Sequence, residues 1–256
     1  MTIEEAIAIS HEETALEGHP SALQHNPAVR KRLSFILNNL EEGKDQMILD
    51  VGTGSGLYIH HLSCVGDCIG IDVDVRSLQK ARNRNVQLAR MVAEDLAFKN
   101  DTFDTVTMIE VLEHVANDQE VIRNIFKVLR LGGRLIVTAP NKLFPFETHG
   151  FRTGSKCYTM SVPLLPYLPE MLRKRFSNAR VYIFPSIEKM LAEEGFSIRD
   201  VRLLSPSLVQ LKSNLTRFRR VFAWLQELLD IAEDRALPIL YNIRPTIAIC
   251  AEKVKK

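Results

Sequence analysis

Short, near-continuous apolar runs and stretches with apolar residues at the helical period of 3.6 take turns along the chain. Five short apolar runs, "QMILDVG", "DCIGIDV", "VQLARMV", "FDTVTMI" and "GGRLIVTAP", have the length and β-branched content of buried strands. Between them lie stretches with helical spacing, including "DVRSLQKARNR" and "NDQEVIRNIFKVLR". Upstream, "NPAVRKRLSFILNNLEEG" carries apolar residues at helical spacing and stops at Gly43, a residue suited to ending a helix. Downstream, "SIEKMLAEEGF" followed by "SIRDVRLLS" predicts one more helix and strand, and "PTIAICAEK" a closing strand. Strands alternating with helices predict an α/β fold, a mostly parallel sheet covered on both faces. Two segments break the alternation. Residues 141–181 hold several prolines and aromatics with a basic cluster, "MLRKRF". Residues 207–236 read as helical, with Phe218, Val221, Phe222, Leu225 and Leu229 on one face and Trp224 nearby. The expected organisation is a single domain over 1–256, with a helical segment at 1–43. Helical insertions at 141–181 and 207–236 would cap the substrate side.

Composition adds mainly exclusions. The 256 residues are 46% hydrophobic and 25% charged, as in an ordinary globular protein. A formal net charge of +2 gives the whole molecule no strong pull towards nucleic acid. The start, "MTIEEAIAISHEE", is acidic and lacks the pattern of a signal peptide. No apolar run reaches the roughly 18–20 residues of a spanning helix. Cys64, Cys68, Cys157 and Cys250 lack paired spacing, which predicts free thiols in a reducing cytoplasm. Cys64 and Cys68 have no second pair of ligands for a metal.

The end of the first predicted strand changes the picture. Asp50-Val-Gly52-Thr53-Gly54-Ser-Gly56 puts three glycines where an open α/β sheet binds ligands. Glycines let backbone bend sharply and approach a ligand closely. The spacing is GxGxG, with Leu57 following, whereas a dinucleotide fingerprint is GxGxxG. This counts against a nicotinamide-linked oxidoreductase. Asp72 ends the second strand in "IGID", where a carboxylate can accept hydrogen bonds from ribose hydroxyls.

"ILDVGTGSG", "IGIDVD", "AEDLAF", "FDTVTMIEVLEHV" and "LRLGGRLIVTAPN" together resemble the successive motifs of class I S-adenosylmethionine-dependent methyltransferases, in order and spacing, from Met47 to Asn141. The subgroup resembled is type 11, the ubiquinone-methyltransferase-like one. The resemblance implies a Rossmann-like doubly wound, mostly parallel seven-stranded sheet and S-adenosylmethionine as cofactor. It implies that Asp50, Gly52, Thr53, Gly54 and Gly56 hold the methionine end, together with Glu110. Asp72 and Val73 would hold the ribose, and Glu94, Asp95 and Leu96 would flank the adenine. Where family members often carry "GDAEDLPF", this chain has "MVAEDLAF". Val92 thus replaces the acid that contacts the adenine amino group, leaving Asp95 or a backbone carbonyl for that contact.

In "EVLEHV", a helix beginning near Glu110 would put Glu110, Glu113 and His114 on one face, at i, i+3 and i+4. The motif resembles the ExxEH of metal-dependent O-methyltransferases, in which a second histidine follows the fifth strand. Here "FETHGF" supplies His149, beside Glu147. The resemblance implies a divalent ion held by Glu110, Glu113, His114 and His149. Two carboxylates and two imidazoles suit Mn²⁺, Fe²⁺ or Zn²⁺ at least as well as Mg²⁺. A bound ion would lower the pKa of an acceptor hydroxyl and orient it. Two other readings stay open: a metal-free base at His114 or His149, and a structural role in which Glu113 favours the helix dipole. His60 and His61 read as solvent-facing or core histidines.

The expected reaction is methyl transfer to a small-molecule, glycan or lipid-linked acceptor, on oxygen, with carbon or nitrogen as alternatives. A non-catalytic methyltransferase-like module is the competing reading, and the intact glycine loop argues against it. Arg173, Lys174 and Arg175 beside apolar prolines read either as a peripheral membrane contact or as a solvated edge. Nucleic acid finds no aromatic–basic interleaving there.

Overall fold

Neighbouring residues on the central strands send their side chains to opposite faces, and a separate apolar cluster receives each set. Ile48, Ile136, Ala248 and Cys250 enter one cluster; Leu49, Leu135, Val137, Ile247, Ile249 and Ala251 enter the other. Both faces of the sheet are therefore buried, which is why these strands read as near-continuous apolar runs. The computed structural model describes residues 27–40, 46–82, 86–147, 151–153, 156–158, 162–177, 179–204, 242 and 244–254.

In chain order the first elements are α1 (Pro27–Asn38), β1 (Gln46–Val51), α2 (Ile59–Leu62), β2 (Gly66–Asp72), α3 (Val75–Lys80) and β3 (Val86–Arg90). Then come β4 (Phe103–Ile109), α4 (Asp118–Val128) and β5 (Leu129–Pro140). After an insert, α6 (Phe184–Glu194), β10 (Phe196–Leu204) and β11 (Thr246–Lys253) complete the domain. The seven-stranded sheet has the order β10-β11-β5-β4-β1-β2-β3. β11 runs antiparallel to both neighbours, and the other pairs are parallel. Strand order reverses between β1 and β4, so a crevice opens outside their carboxyl ends.

Two helices show how local sequence sets the packing. α4 starts where Asn117 accepts the Glu120 N–H at 3.2 Å, and Asp118 and Glu120 favour its positive end. Its inward residues Val121, Ile122, Ile125 and Val128 pack on one face of the sheet beside Ile187 and Leu191 of α6. α6 ends at Gly195, whose φ of 103° closes the helix in a left-handed turn. α1 covers the other face with Leu33, Phe35, Ile36 and Leu37.

The insert after β5 is not helical as expected. It contains β6 (Phe146–Glu147) paired with β9 (Val162–Pro163), and β7 (Phe151–Thr153) paired with β8 (Lys156–Tyr158). A 3₁₀ turn (Leu165–Tyr167) and the one-turn helix α5 (Glu170–Arg173) follow. Prolines at 163, 166 and 169 leave no room for a longer helix. The expected helical insertion at 207–236 lies outside the described residues, as does the first part of the segment 1–43. Among the described residues no helix is long and apolar enough to cross a membrane. Cys64, Cys68 and Cys250 are free thiols, as expected.

Candidate active site

The loop after β1 bends back on β2: the N–H groups of Gly52 and Thr53 both donate to Ile71 O, at 2.8 and 3.0 Å. Gly52, Gly54 and Gly56 have φ of 72°, 54° and 90°, a region that disfavours side chains. Their surroundings differ. A Cβ on Gly52 would overlap Cγ2 of Val111, and one on Gly56 would sit 2.5 Å from Nε2 of His60. A Cβ on Gly54 would meet nothing within 4 Å. Two glycines let the loop pack on the protein, while the third leaves an open face.

Asp72 braces that loop from the end of β2. Its Oδ2 accepts the Gly54 N–H and its Oδ1 the Asp74 N–H, both at 2.8 Å. A carboxylate offers about four acceptor positions, so half remain for a ligand. Asp74 is itself the N-cap of α3, accepting from Arg76 N and Ser77 N. Hydrogen bonds from Ser77 and the α3 backbone hold its carboxyl below the usual range. Between the ends of β2 and β3, Val73 and Val92 expose apolar surface, 57% and 45% of their areas, and Leu96 is half-buried. Glu94 ties this rim to the loop after β4, its Oε1 accepting the Ala116 N–H at 2.8 Å. Asp95 is exposed, and its N–H donates to Val92 O at 3.3 Å.

Asp50 is buried beneath the glycine loop and accepts a 2.6 Å hydrogen bond from Thr107 of β4. Burial pushes its carboxyl up to about 6, against the hydrogen bond from Thr107.

The segment after β4 departs from expectation. No helix begins at Glu110; turns occupy the stretch before α4 starts at Asp118. Glu110 has φ of 57°, a left-handed backbone that cannot start a right-handed helix. The expected shared face of Glu110, Glu113 and His114 is therefore absent. Glu110 instead turns into a polar cluster. Arg32 of α1 reaches it at 2.8 Å, and Thr138 of β5 donates to its Oε1 at 3.0 Å while accepting its N–H at 3.0 Å. The Tyr58 hydroxyl lies beside Arg32, and burial pushes it up from its ordinary value. The Glu113 side chain is fully buried, and the His114 Nε2 lies 3.8 Å from its Oε1 with the imidazole half-exposed. His149 lies outside the described residues. Among the described residues no three His, Cys, Asp or Glu side chains group as a metal site requires. The Arg32 guanidinium on Glu110 places a positive charge beside one of the expected ligands. His61 is buried and His60 half-buried.

Arg32, Tyr58 and Thr138 were not visible as site residues in the sequence. Arg32 is one of three cations in "RKR", and spacing alone does not say which points inward.

A Methyltransferase domain family matches residues 49–137. A ubiquinone biosynthesis O-methyltransferase from Aliivibrio fischeri is 33% identical over 196 residues, covering 73% of this chain and 78% of that protein. A demethylmenaquinone methyltransferase from Tropheryma whipplei is 37% identical over 95 residues, covering 35% of this chain and 40% of that protein. In fold, an S-adenosylmethionine-dependent methyltransferase from Mesorhizobium loti superposes with a TM-score of 0.59 at 18% identity, covering 88% of this chain and 97% of that one. The chain thus belongs to the class I S-adenosylmethionine-dependent methyltransferases, in their type 11 group. It is an enzyme of methyl transfer, with S-adenosylmethionine as donor.

One consequence concerns Asp72. Asp72→Ala is expected to weaken S-adenosylhomocysteine binding at least about tenfold, hydrogen bonds to a charged group contributing about 1.5–3 kcal/mol each. Equilibrium dialysis checks this, and an unchanged dissociation constant would place the ribose contact elsewhere. Asp74 is a poor substitute, since its carboxylate already caps α3.

Proposed function

We propose that this methyltransferase transfers its methyl group to an oxygen of a small hydroxylated acceptor, without a metal ion. The observation that carries the cofactor placement is the open face at Gly54 between an anchored loop and the Asp72 carboxylate. In this reading the methionine end lies over Gly52–Gly56, with Asp50 and Thr53 beneath and Glu110 alongside. The ribose meets Asp72, and the adenine lies against Val73 and Leu96, with Glu94 and Asp95 at its rim. Oxygen as the acceptor atom is supported by the Aliivibrio relative, an O-methyltransferase by name that matches across most of both chains.

Transfer from a sulfonium is an in-line displacement in which holding donor and nucleophile together supplies much of the rate. A hydroxyl must also lose its proton. His114 is the base in this reading, because its half-exposed ring sits beside a buried carboxylate. Glu113 Oε1, 3.8 Å from Nε2, can orient the ring as it takes the proton. Arg32 and Thr138 are positioning residues that hold Glu110 in its left-handed conformation. His149 remains a second candidate base.

Turnover is expected to persist in excess EDTA, within about twofold of the untreated rate. His114→Ala should lower the maximal rate about 10²–10⁴-fold, the range for general base catalysis. A screen of hydroxylated acceptors with methyl-labelled cofactor, with and without chelator, measures both. Loss of activity on chelation, restored by Mn²⁺ or Mg²⁺, would overturn the metal-free reading.

A further inference from the structure

A second polar cavity, of about 300 Å³, lies at the carboxyl edge of the sheet, on the side of β4 and β5 away from the glycine loop. Its walls carry Lys142 just after β5, Glu170 and Arg173 of α5, Arg180, Tyr182, and Asp118 at the start of α4. The two acids there are already engaged. Glu170 is paired with Lys174 at 2.7 Å, and Asp118 with Arg180 at 3.2 Å and the Tyr182 hydroxyl at 3.0 Å.

The bases are not balanced in the same way. Arg173 is 4% exposed, and its guanidinium donates through Nη1 to a backbone carbonyl, Ala179 O. Among the described residues it has no carboxylate in ion-pair range, and neither does Lys142. Glu170 feels the Arg173 charge only from beyond ion-pair range, and a buried guanidinium without a directly bound anion is unfavourable, because a carbonyl dipole replaces only part of its hydration. Of the three bases expected either at a membrane contact or on a solvated edge, Arg173 is buried, while Lys174 and Arg175 are exposed.

The cavity wall is also tied to the reaction side. Arg180 N donates to Glu113 O at 2.9 Å, and the Tyr182 hydroxyl, whose single proton is shared between Asp118 and Leu112 O, lies 3.0 Å from the latter. Lys142 N donates to Tyr182 O at 2.7 Å. These contacts fix the cavity against the segment that carries Glu110, Glu113 and His114.

We propose that this cavity binds an oxyanion, a phosphate or a carboxylate, carried by the methyl acceptor, with Arg173 and Lys142 as its partners. The proposal rests on the methyltransferase reading above and narrows its acceptor to an anionic molecule. A planar guanidinium with a mobile ammonium suits either group, the first by paired hydrogen bonds and the second by charge. The volume is at the small end of ligand pockets, suited to a head group rather than a whole large ligand.

Calorimetric titration of the full chain with inorganic phosphate, and in a parallel arm with benzoate, tests this. At least one anion is expected to bind the wild type at about the millimolar level, roughly −4 kcal/mol. Lys142→Glu, at an exposed position, should weaken that binding about tenfold or more, and Arg173→Gln should do the same. Tighter phosphate binding would indicate a phosphorylated acceptor, and tighter benzoate binding a carboxylated one. S-adenosylhomocysteine is titrated into the same preparations, and its affinity should stay within about twofold of wild type. Should the nucleoside bind while neither anion does, or should Lys142→Glu bind anions as the wild type does, the cavity proposal is overturned and the methyltransferase reading stands. Absence of nucleoside binding in folded protein would strike the latter instead. If Arg173→Gln does not fold, Lys142→Glu alone decides.

Discussion

Valine at position 54 is expected to abolish cofactor binding while leaving the fold intact. Gly54 has an open face: a Cβ there would touch no protein atom within 4 Å. The space a valine would fill holds no described protein atom, and it is where the proposed cofactor would lie. The substitution does carry a backbone penalty, since φ is 54° at this position, of about 1–2 kcal/mol. That is small against the stability of a domain of this size. Gly52→Val provides the contrast, because its side chain would collide with Val111 and disturb the protein itself. Thermal unfolding with and without S-adenosylhomocysteine separates the two effects. A ligand at about a hundred times its dissociation constant stabilises a protein by about 2.7 kcal/mol. The wild type should show that rise in melting temperature, and Gly54→Val a near-normal baseline with no rise. A full ligand-induced rise in the variant would mean that the cofactor does not lie over this loop.

The second large effect is on stability and comes from Asp50. Its carboxyl is raised to about 6 from an ordinary 3.8, because burial beneath the loop disfavours the charged form. Between these values the native side chain holds a proton that the unfolded chain has released. Asp50 therefore adds stability at low pH that declines as pH rises through about 6 and is lost above it. The difference corresponds to about 3 kcal/mol at most. Asp50→Asn keeps an acceptor for the Thr107 hydroxyl and removes the titration. Relative to that variant, the ligand-free wild type should lose stability between about pH 4.5 and pH 7.5. Urea unfolding at both values measures it, and parallel pH profiles for the two proteins would contradict the assignment.

What could be read in advance follows from the physics of each region. The inner strands are buried on both faces and read as apolar runs, while the edge strands β3 and β10 are only partly buried, and all seven are visible in the sequence. The glycine loop was legible because close backbone approach requires residues without side chains. The segment from Glu110 to Asn117 was not, since ExxEH has helical spacing and nothing in it announces a left-handed glutamate. In that conformation Glu110 meets Arg32 and Thr138, which come from distant elements. The insert after β5 was misread because its strands, of two or three residues, are too short to show a period. Arg173 was misplaced for a related reason: a run of basic residues does not show which one a turn folds inward.

The central claim, that the crevice at the β1–β4 switch point is an S-adenosylmethionine site, is tested most directly by titrating S-adenosylhomocysteine into the folded wild type in a calorimeter. A single site with a dissociation constant of about a micromolar, roughly −8 kcal/mol, is the expected result. No measurable heat from either the product or S-adenosylmethionine, at protein concentrations well above that constant, would contradict it.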